Sequence, residues 1–462
     1  MDEMEVMNNT EVVEENFGEM KRTLGVGQLV IQGMAWLCPA CITVYWGIIN
    51  ESTNGAFPLV VIIAGIVMFM AALGYSTMSK KYTRGGSVYT YASGTFGPRV
   101  GFMTGWLILI DYFMMPMMCY LTAGLYMAIW IPQISANLWT IIIILLVWVF
   151  NYLGVNMASV INFICIAVPI VSLILTLIWI IQLVASGSPT TAGSFLSLHA
   201  FMAPDVISWK GVFNGAAVMA VTFVGFDIAT TMAGEAKNPT KTVPKAVTII
   251  VLYTIVSFAL TEYLMNCGWD WTDASTKLQD PNTAITEYYV YLGYAWMNQI
   301  FIPINALASM GCCIAGNISS SRIMYNMALD GYLPKFFGKM SKRNTPIICI
   351  TFACIVGLVS LLFQGQVMSA ANLCSFGGLL SMVVVNICVI GEFWVKQKKR
   401  GGAAVFIYLI APVLAAVATG FLWFQLSWLA KGVGCLWLLI GFILLGVKTK
   451  GFKETPPPME LM

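Results

Sequence analysis

The chain has 462 residues, of which 59% are hydrophobic and only 10% are charged, and its mean hydropathy is +0.81. Because soluble globular domains carry about 25% charged residues, this composition excludes a soluble protein and makes the lipid bilayer the solvent. The net charge of +3 reflects the Lys and Arg residues of the loops, and we expect no nucleic-acid partner.

Apolar runs long enough to cross a bilayer, roughly 17 to 25 residues each, recur about twelve times along the chain. We number these predicted spans 1 to 12. They cover residues 25–49, 57–79, 98–131, 137–155, 160–185, 211–234, 243–267, 295–327, 345–363, 367–394, 403–425 and 429–447. The sequence therefore predicts an all-α polytopic membrane protein with twelve transmembrane helices.

The basic residues predict the orientation of these spans. If the N-terminus is cytoplasmic, all of the 24 Lys and Arg residues except Lys210, Lys277 and Lys431 fall on the cytoplasmic side. Cytoplasmic loops are enriched in Lys and Arg, so we expect a plasma-membrane protein with both termini in the cytoplasm. The acidic tail at 1–23 is expected to be disordered.

Two aspartates lie in the middle of apolar spans, Asp111 in span 3 and Asp227 in span 6. The stretches 100–131 and 212–234 contain no Lys, Arg or His. A carboxylate in hydrocarbon costs roughly 2.5 to 3.5 kcal/mol on insertion scales, so each needs a partner. That partner is predicted to be a proton, an ion or a cationic ligand, although for Asp111 a structural bond to a backbone group or a serine is the alternative.

Spans 1 and 6 contain residues that interrupt a helix. Pro39 in span 1 removes the hydrogen-bond partner of the Ala35 carbonyl, and Gly225 in span 6 lies two residues before Asp227. Broken helices at matching positions of two inverted repeats mark a substrate site near the bilayer midplane. The predicted parts are a first repeat at 24–185, a second repeat at 211–395, two added helices at 403–447 and a cytoplasmic tail at 448–462.

Three motifs resemble signatures of the amino acid–polyamine–organocation transporter superfamily. They comprise residues 85–91, Gly97 and 101–106 after span 2, residues 223–227, 235–239 and Pro244 around span 6, and residues 321–325, Asp330, Gly331, Pro334 and 345–346 at the end of span 8 and after it. The resemblance runs from about Leu24 to Gly446, in order and at the expected spacings. It implies a secondary transporter with broken helices 1 and 6.

Within this superfamily the chain looks most like permeases of the putrescine-importer type. The similar segments are residues 33–39, 111–112, 225–231, 372–377 and 393–394. Many amino acid carriers have Gly-Ser/Thr-Gly in span 1, which binds an α-carboxylate, whereas residues 35–38 here are bulky and fit an amine without that group. Span 5 also lacks the lysine that some proton-coupled members use.

The resemblance, together with the buried charges, predicts a substrate site near the two breaks. Asp227 is expected to meet one ammonium group, while Asp111 meets a second ammonium or holds a proton. Ring faces nearby offer cation–π contacts of roughly 0.5 to 2 kcal/mol. The predicted substrate-binding residues are Gly33, Ala35, Trp36, Asp111, Tyr112, Phe223, Phe226, Asp227 and Gly316.

Two kinds of coupling remain open in the sequence. Asp111 and Asp227 are the candidates for proton coupling. Ser319 and Ser320 are candidates for a sodium site resembling the second sodium site of this fold, although hydroxyls on membrane helices more often bond to their own carbonyls. Proton symport or exchange of one amine for another is the favoured interpretation.

We predict a secondary active transporter of small amines or amino acids, with a putrescine-like polyamine as the favoured substrate. The alternative is a neutral or cationic amino acid permease coupled to protons or sodium. An ion channel and a membrane enzyme are the other classes considered. We expect no enzyme, metal or cofactor, because no Ser/His/Asp set, metal cluster or phosphate loop lies at membrane depth.

Two other charged residues lie near the ends of spans. Glu262 in span 7 is expected to reach water, and the long side chain of Arg322 in span 8 is expected to extend to the aqueous interface.

Overall fold

The computed structural model describes residues 22–37, 39–187, 195–223, 225–341, 343, 345–363, 366–451 and 453. The predicted acidic tail lies outside the described residues except for residues 22 and 23. Within these ranges every regular element is a helix, and residues Leu24 and Ala236 form an isolated β-bridge. The all-α prediction is confirmed.

Twelve helical spans follow one another along the described chain. Nine are long and apolar enough to cross a membrane, spans 4 and 9 are shorter apolar helices, and span 6 is interrupted. In chain order the spans are Val26–Thr53, Phe57–Ser79, Pro98–Trp130, Ala136–Tyr152, Val155–Ala185, 209–231, Pro239–Gly268, Ala295–Leu329, Ile347–Phe363, Ser369–Lys396, Ala403–Gln425 and Trp428–Lys448.

The outward faces of the bundle are apolar. Ile66 in span 2, Val256 in span 7 and Val447 in span 12 expose more than half of their surface. Exposed apolar surface on this scale marks a contact with lipid, since soluble monomers rarely present it. Backbone polar groups in lipid must be satisfied within the segment, which is why the spans are helical. The chain is therefore a multi-pass membrane protein.

Both predicted breaks are present. Span 1 consists of Val26–Leu37, Pro39–Tyr45 and Trp46–Thr53, and span 6 consists of Trp209–Met219, Ala220–Phe223 and Gly225–Thr231. The two breaks touch: a Cβ on Gly225 would lie 2.5 Å from the carbonyl oxygen of Gly33, and a Cβ on Gly33 would lie 2.7 Å from that of Gly225. Only glycine permits such a close backbone approach.

We call the end of the bundle that carries the basic loops after spans 2, 6, 8 and 10 the inner end, and the opposite end the outer end. Two short helices, Trp271–Lys277 and Ala284–Tyr291, form what we call the outer cap. Tyr288 of the cap packs edge-on against Trp46 at 5.0 Å and donates a hydrogen bond of 2.8 Å to the Met265 carbonyl. The cap is thereby fixed to spans 1 and 7.

A carboxylate holds the cap together. Asp273 accepts hydrogen bonds from Lys277 at 2.8 Å, Tyr291 at 2.7 Å and the Trp269 indole at 3.0 Å. The bond from Lys277, followed by that from Tyr291, keeps the pKa of Asp273 below its ordinary value. The Asp273 carboxylate therefore stabilises the cap through these three hydrogen bonds.

Candidate substrate site at the helix breaks

Asp227 lies in the first turn of the helix that resumes span 6, and 1% of its surface is exposed. The hydroxyl of Tyr112, on span 3, donates to Asp227 Oδ2 at 2.5 Å. Among the described residues, no side chain donates a hydrogen bond to Asp227 Oδ1. Tyr112 in turn packs edge-on against Trp36 of span 1, with ring centroids 5.4 Å apart. One carboxylate thus connects spans 1, 3 and 6.

Asp111, the residue before Tyr112, is fully buried. Neither of its carboxylate oxygens has a hydrogen-bond partner in the part of the chain that the structure describes. It lies within electrostatic range of Asp227, and Tyr75 of span 2 interacts with both aspartates. Gly377 brings span 10 against this point, since a Cβ there would lie 3.3 Å from the Asp111 nitrogen. Three carboxylate oxygens that no described side chain hydrogen-bonds therefore share one buried neighbourhood.

No protein cation neutralises these carboxylates in the ranges that the structure describes. The ion pairs found there join other residues, at the two ends of the bundle. Two like charges in a low-dielectric interior repel each other, and each loses several kcal/mol of hydration. The arrangement is stable only if a cation joins them or at least one carboxylate is protonated.

Aromatic rings enclose the carboxylates. Trp36 is fully buried with an unbonded indole nitrogen, and its ring lies where a side chain on Gly316 of span 8 would be. Phe226 packs edge-on against Tyr75 at 5.3 Å. Phe223 packs against Phe258 of span 7 at 6.0 Å. Trp36 and Phe226 therefore pack against Tyr112 and Tyr75, the tyrosines that neighbour the aspartates, while Phe223 packs toward the outer half.

The other predicted residues have plainer positions. Ala35 is buried in span 1. Ser320 donates to the Asn317 carbonyl of its own helix at 3.3 Å, whereas Ser319 is buried with an unbonded hydroxyl. The alternative of a sodium site therefore rests on Ser319 more than on Ser320.

A small cavity lies on the outer side of the carboxylates. Its lining comprises Leu37, Ile42, Val44, Tyr45, Met115, Met118, Cys119, Thr122, Thr222, Phe258 and Ser309. It has space of about 20 Å³ for the centres of water molecules, enough for one water or slightly more. Met115 lies one turn outward from Asp111, and neither aspartate lines the cavity, so the described structure is closed around the carboxylates.

The inner end is closed by the three sequence motifs. Leu24, at the entry to span 1, accepts from the Lys237 nitrogen at 2.8 Å and donates to the Glu235 carbonyl at 2.9 Å. The Gly86 nitrogen donates to the Thr231 carbonyl at 3.3 Å. Segments before span 1, after span 2 and after span 6 are thus joined by backbone hydrogen bonds.

An ion pair adds to these backbone hydrogen bonds, and together they form what we call the inner seal. Arg322 Nε lies 2.8 Å from Glu235 Oε1, and Arg322 Nη2 donates to Glu235 Oε2 at 3.2 Å. Only 6% of Arg322 is exposed, so the prediction that it snorkels to water is wrong. Nearby, Tyr89 donates to Asp330 at 2.5 Å and Arg84 pairs with it at 3.2 Å. The motif after span 8 is therefore tied to both of the others.

We expect Glu235→Gln to lower the midpoint of thermal unfolding of the purified protein by several degrees. Removing one partner of a buried ion pair leaves the other charge uncompensated, at a cost of about 3 kcal/mol. The double variant with Arg322→Gln should recover part of the loss, because both charges are then gone. Equal midpoints for wild type and Glu235→Gln would contradict a sealing role for this pair.

We expect Tyr112→Phe to raise the KM for amine uptake about tenfold, since a hydrogen bond to a charged group contributes roughly 1.5 to 3 kcal/mol. Tyr126→Phe is the matched control: it removes the same atom from the same helix, where the hydroxyl bonds the Asn282 carbonyl at 3.2 Å. Initial rates at graded substrate concentrations measure both. An unchanged KM in Tyr112→Phe would remove this hydroxyl from the site.

Sequence reasoning missed several neighbours of the carboxylates. Tyr75 is fully buried with an unbonded hydroxyl, and Cys312 and Cys374 interact electrostatically with Asp111. A polar aromatic residue within the last two turns of span 2 was the available signal for Tyr75. The cysteines gave none, because small sulfur side chains are common in apolar helices.

Comparison with known proteins places the chain among permeases. Residues 29–373 match the family described as "Amino acid permease". The chain is 29% identical to the low-affinity putrescine importer PlaP of Escherichia coli (strain K12), over 96% of this chain and 97% of that protein. It is 24% identical to the branched-chain amino acid permease BcaP of Lactococcus lactis, over 82% and 84%. It is 25% identical to the D-serine/D-alanine/glycine transporter of Escherichia coli (strain K12), over 74% and 73%.

Proposed function

We propose that this chain, which belongs to the amino acid permease family, binds a small diamine of the putrescine type at Asp111 and Asp227 and carries it across the membrane. Family membership makes the chain a membrane transporter of amines or amino acids. One observation carries the finer proposal: two buried carboxylates, three of whose oxygens have no side-chain partner among the described residues, lie within electrostatic range of each other.

A diamine suits this site better than an amino acid does. An ammonium group donates three hydrogen bonds and accepts none, as three unbonded carboxylate oxygens require. A zwitterion would bring its own carboxylate to two aspartates, and no cation among the described residues lies there to receive it. The Trp36 ring adds a face for a cation. Charge and hydrogen bonding therefore both favour amines at each end of a short chain.

A second candidate, an amino acid carrier, also has support. The unbonded indole N–H of Trp36 and hydroxyl of Tyr75 are donors that an α-carboxylate accepts. Two of the relatives named above transport amino acids according to their descriptions. In this alternative, Asp227 would hold the α-ammonium group and Asp111 would be protonated.

The proposed cycle uses the two closures in turn. With the outer cap displaced, the diamine enters through the small cavity and displaces water from the carboxylates. With the inner seal broken, it leaves toward the basic end of the bundle, which the charge asymmetry assigns to the cytoplasm. Uptake is driven by proton symport or by exchange of one amine for another.

Reconstituted protein tests the proposal directly. Liposomes loaded with unlabelled putrescine should accumulate external labelled putrescine by exchange, and agmatine should compete. Leucine and D-alanine at the same concentrations should not compete. Exchange of leucine without exchange of putrescine would contradict the proposal of a diamine substrate and would favour the amino acid carrier.

A further inference from the structure

Glu262 on span 7 is a third carboxylate inside the bundle. It is fully buried, and neither of its oxygens has a hydrogen-bond partner among the residues that the structure describes. The prediction that it reaches water is therefore wrong. The reason is the outer cap, which lies over this end of span 7 and whose Tyr288 interacts electrostatically with Glu262.

The surroundings of Glu262 explain its lack of partners. Asn266, one turn outward, accepts from the Trp46 indole and the Asn50 amide, both at 2.9 Å. The Asn266 amide donates to the carbonyls of Ala200 at 3.0 Å and Gly55 at 3.2 Å. The polar groups one turn outward from Glu262 are thus bonded to Asn266. One turn inward, Phe258 lines the small cavity.

No neighbouring element offers Glu262 a countercharge. Among the described residues, the titratable side chains toward the outer half of span 7 are Tyr263 and Cys267 of span 7 itself, Tyr45 of span 1, His199 of the helix Leu198–Phe201 and Tyr288 of the cap. Cys165 of span 5, Tyr75 and Asp227 lie further inward. His199 is bonded to Asp270 at 2.9 Å. An ionised Glu262 would therefore be an isolated buried charge, which proteins avoid by neutralising the group.

We infer that Glu262 is a proton-binding site that must be occupied for the outer cap to close. With the cap displaced, water reaches the carboxylate and one proton from the outer solution binds it. With the cap in place, the neutral acid is buried as the structure shows. A proton fits this site better than an amine does, because the adjacent cavity is lined by Phe258 but not by Glu262.

This inference rests on the proposed function, although not on which amine is carried. Asp111 and Asp227 are assigned to the ammonium groups, so the proton of the closing step belongs to another carboxylate. Closing then takes up one proton from outside, and the rate of uptake should fall by up to about tenfold for each unit of external pH above the range in which Glu262 is protonated. A change of internal pH should not alter the uptake rate through Glu262, because this carboxylate receives its proton from the outer solution.

Glu262→Gln tests the inference, because glutamine has nearly the same shape and is always neutral. The variant should take up putrescine at a rate that no longer falls with rising external pH. Glu51→Gln is the matched control, because it removes a carboxylate that is exposed near the outer end of span 1. It should keep the wild-type pH profile. A wild-type profile in Glu262→Gln would overturn the inference, and so would a folded variant that neither exchanges nor accumulates substrate.

A second measurement needs no substrate. The infrared spectrum of wild-type protein at neutral pH should contain a band from a protonated carboxylic acid that is missing from Glu262→Gln. If both proteins have the same carboxylic acid bands, Glu262 is ionised and the inference fails. If wild type moves no putrescine but the band is lost in the variant, the proposed substrate fails while the proton site stands.

Discussion

Asp227→Asn should abolish putrescine uptake, with the initial rate falling by at least about 100-fold, because losing one partner of a buried charge pair costs roughly 3 to 5 kcal/mol. The substitution keeps the shape of the side chain, and the Tyr112 hydroxyl can still donate to the amide oxygen in place of Oδ2. The protein should therefore fold and reach the membrane. Uptake of labelled putrescine into cells or liposomes, normalised to protein in the membrane, measures the effect.

Asp205→Asn is the control for this experiment. Asp205 is exposed on the outer side before span 6, so the same chemical change occurs where water already solvates the charge. We expect wild-type uptake from it, since surface charges contribute little. Normal uptake by Asp227→Asn would remove this carboxylate from substrate binding and leave the proposal without its main anion.

Asp111→Asn should abolish discrimination between a diamine and a monoamine. In the wild type, putrescine can place an ammonium group at each aspartate, whereas n-butylamine can place only one. Loss of the second charge pair should raise the KM for putrescine by about 100-fold, by the same argument as for Asp227. The KM for n-butylamine should change little. Competition curves for the two amines against labelled putrescine measure the ratio.

The outcome of this variant also separates the two roles of Asp111. If Asp111 holds a proton rather than an ammonium group, asparagine mimics the protonated acid and the preference for putrescine survives. Retained selectivity together with lost response to an imposed proton gradient would therefore contradict the diamine arrangement. It would favour the alternative in which one aspartate binds substrate and the other carries the proton.

The local sequence was sufficient to predict the spans and their breaks. Apolar runs of membrane length define the helices whatever their neighbours are. Pro39 and Gly225 interrupt a helix through their own covalent structure. The two aspartates were predicted as functional for a similar reason, because the cost of a charge in hydrocarbon depends on depth and not on fold.

The sequence could not predict contacts that depend on how the helices rotate and tilt against one another. The hydrogen bond from Tyr112 to Asp227 joins side chains of two spans, and a different rotation of span 3 would turn this hydroxyl away. The pairing of Arg322 with Glu235 likewise depends on the meeting of two loops distant in sequence. Both were missed, although all four residues had been noted.

Glu262 shows the limit of judging depth from position in a helix. It lies six residues before the end of Pro239–Gly268, where a carboxylate ordinarily reaches water. The cap formed by residues 271–291 folds back over this end, and its coverage follows from packing of Tyr288 on Trp46. Burial here is thus set by a segment that follows the span rather than by the span itself.

Binding of amines to the purified protein tests most directly whether Asp111 and Asp227 bind a cationic ligand. The measurement is the shift of the thermal unfolding midpoint on adding putrescine, n-butylamine or leucine to the wild type and to Asp227→Asn. We predict the largest shift for putrescine, a smaller one for n-butylamine and none for leucine, with the shifts lost in the variant, since a ligand stabilises only a protein that binds it. Stabilisation of the wild type by leucine alone, or an undiminished putrescine shift in Asp227→Asn, would contradict this account.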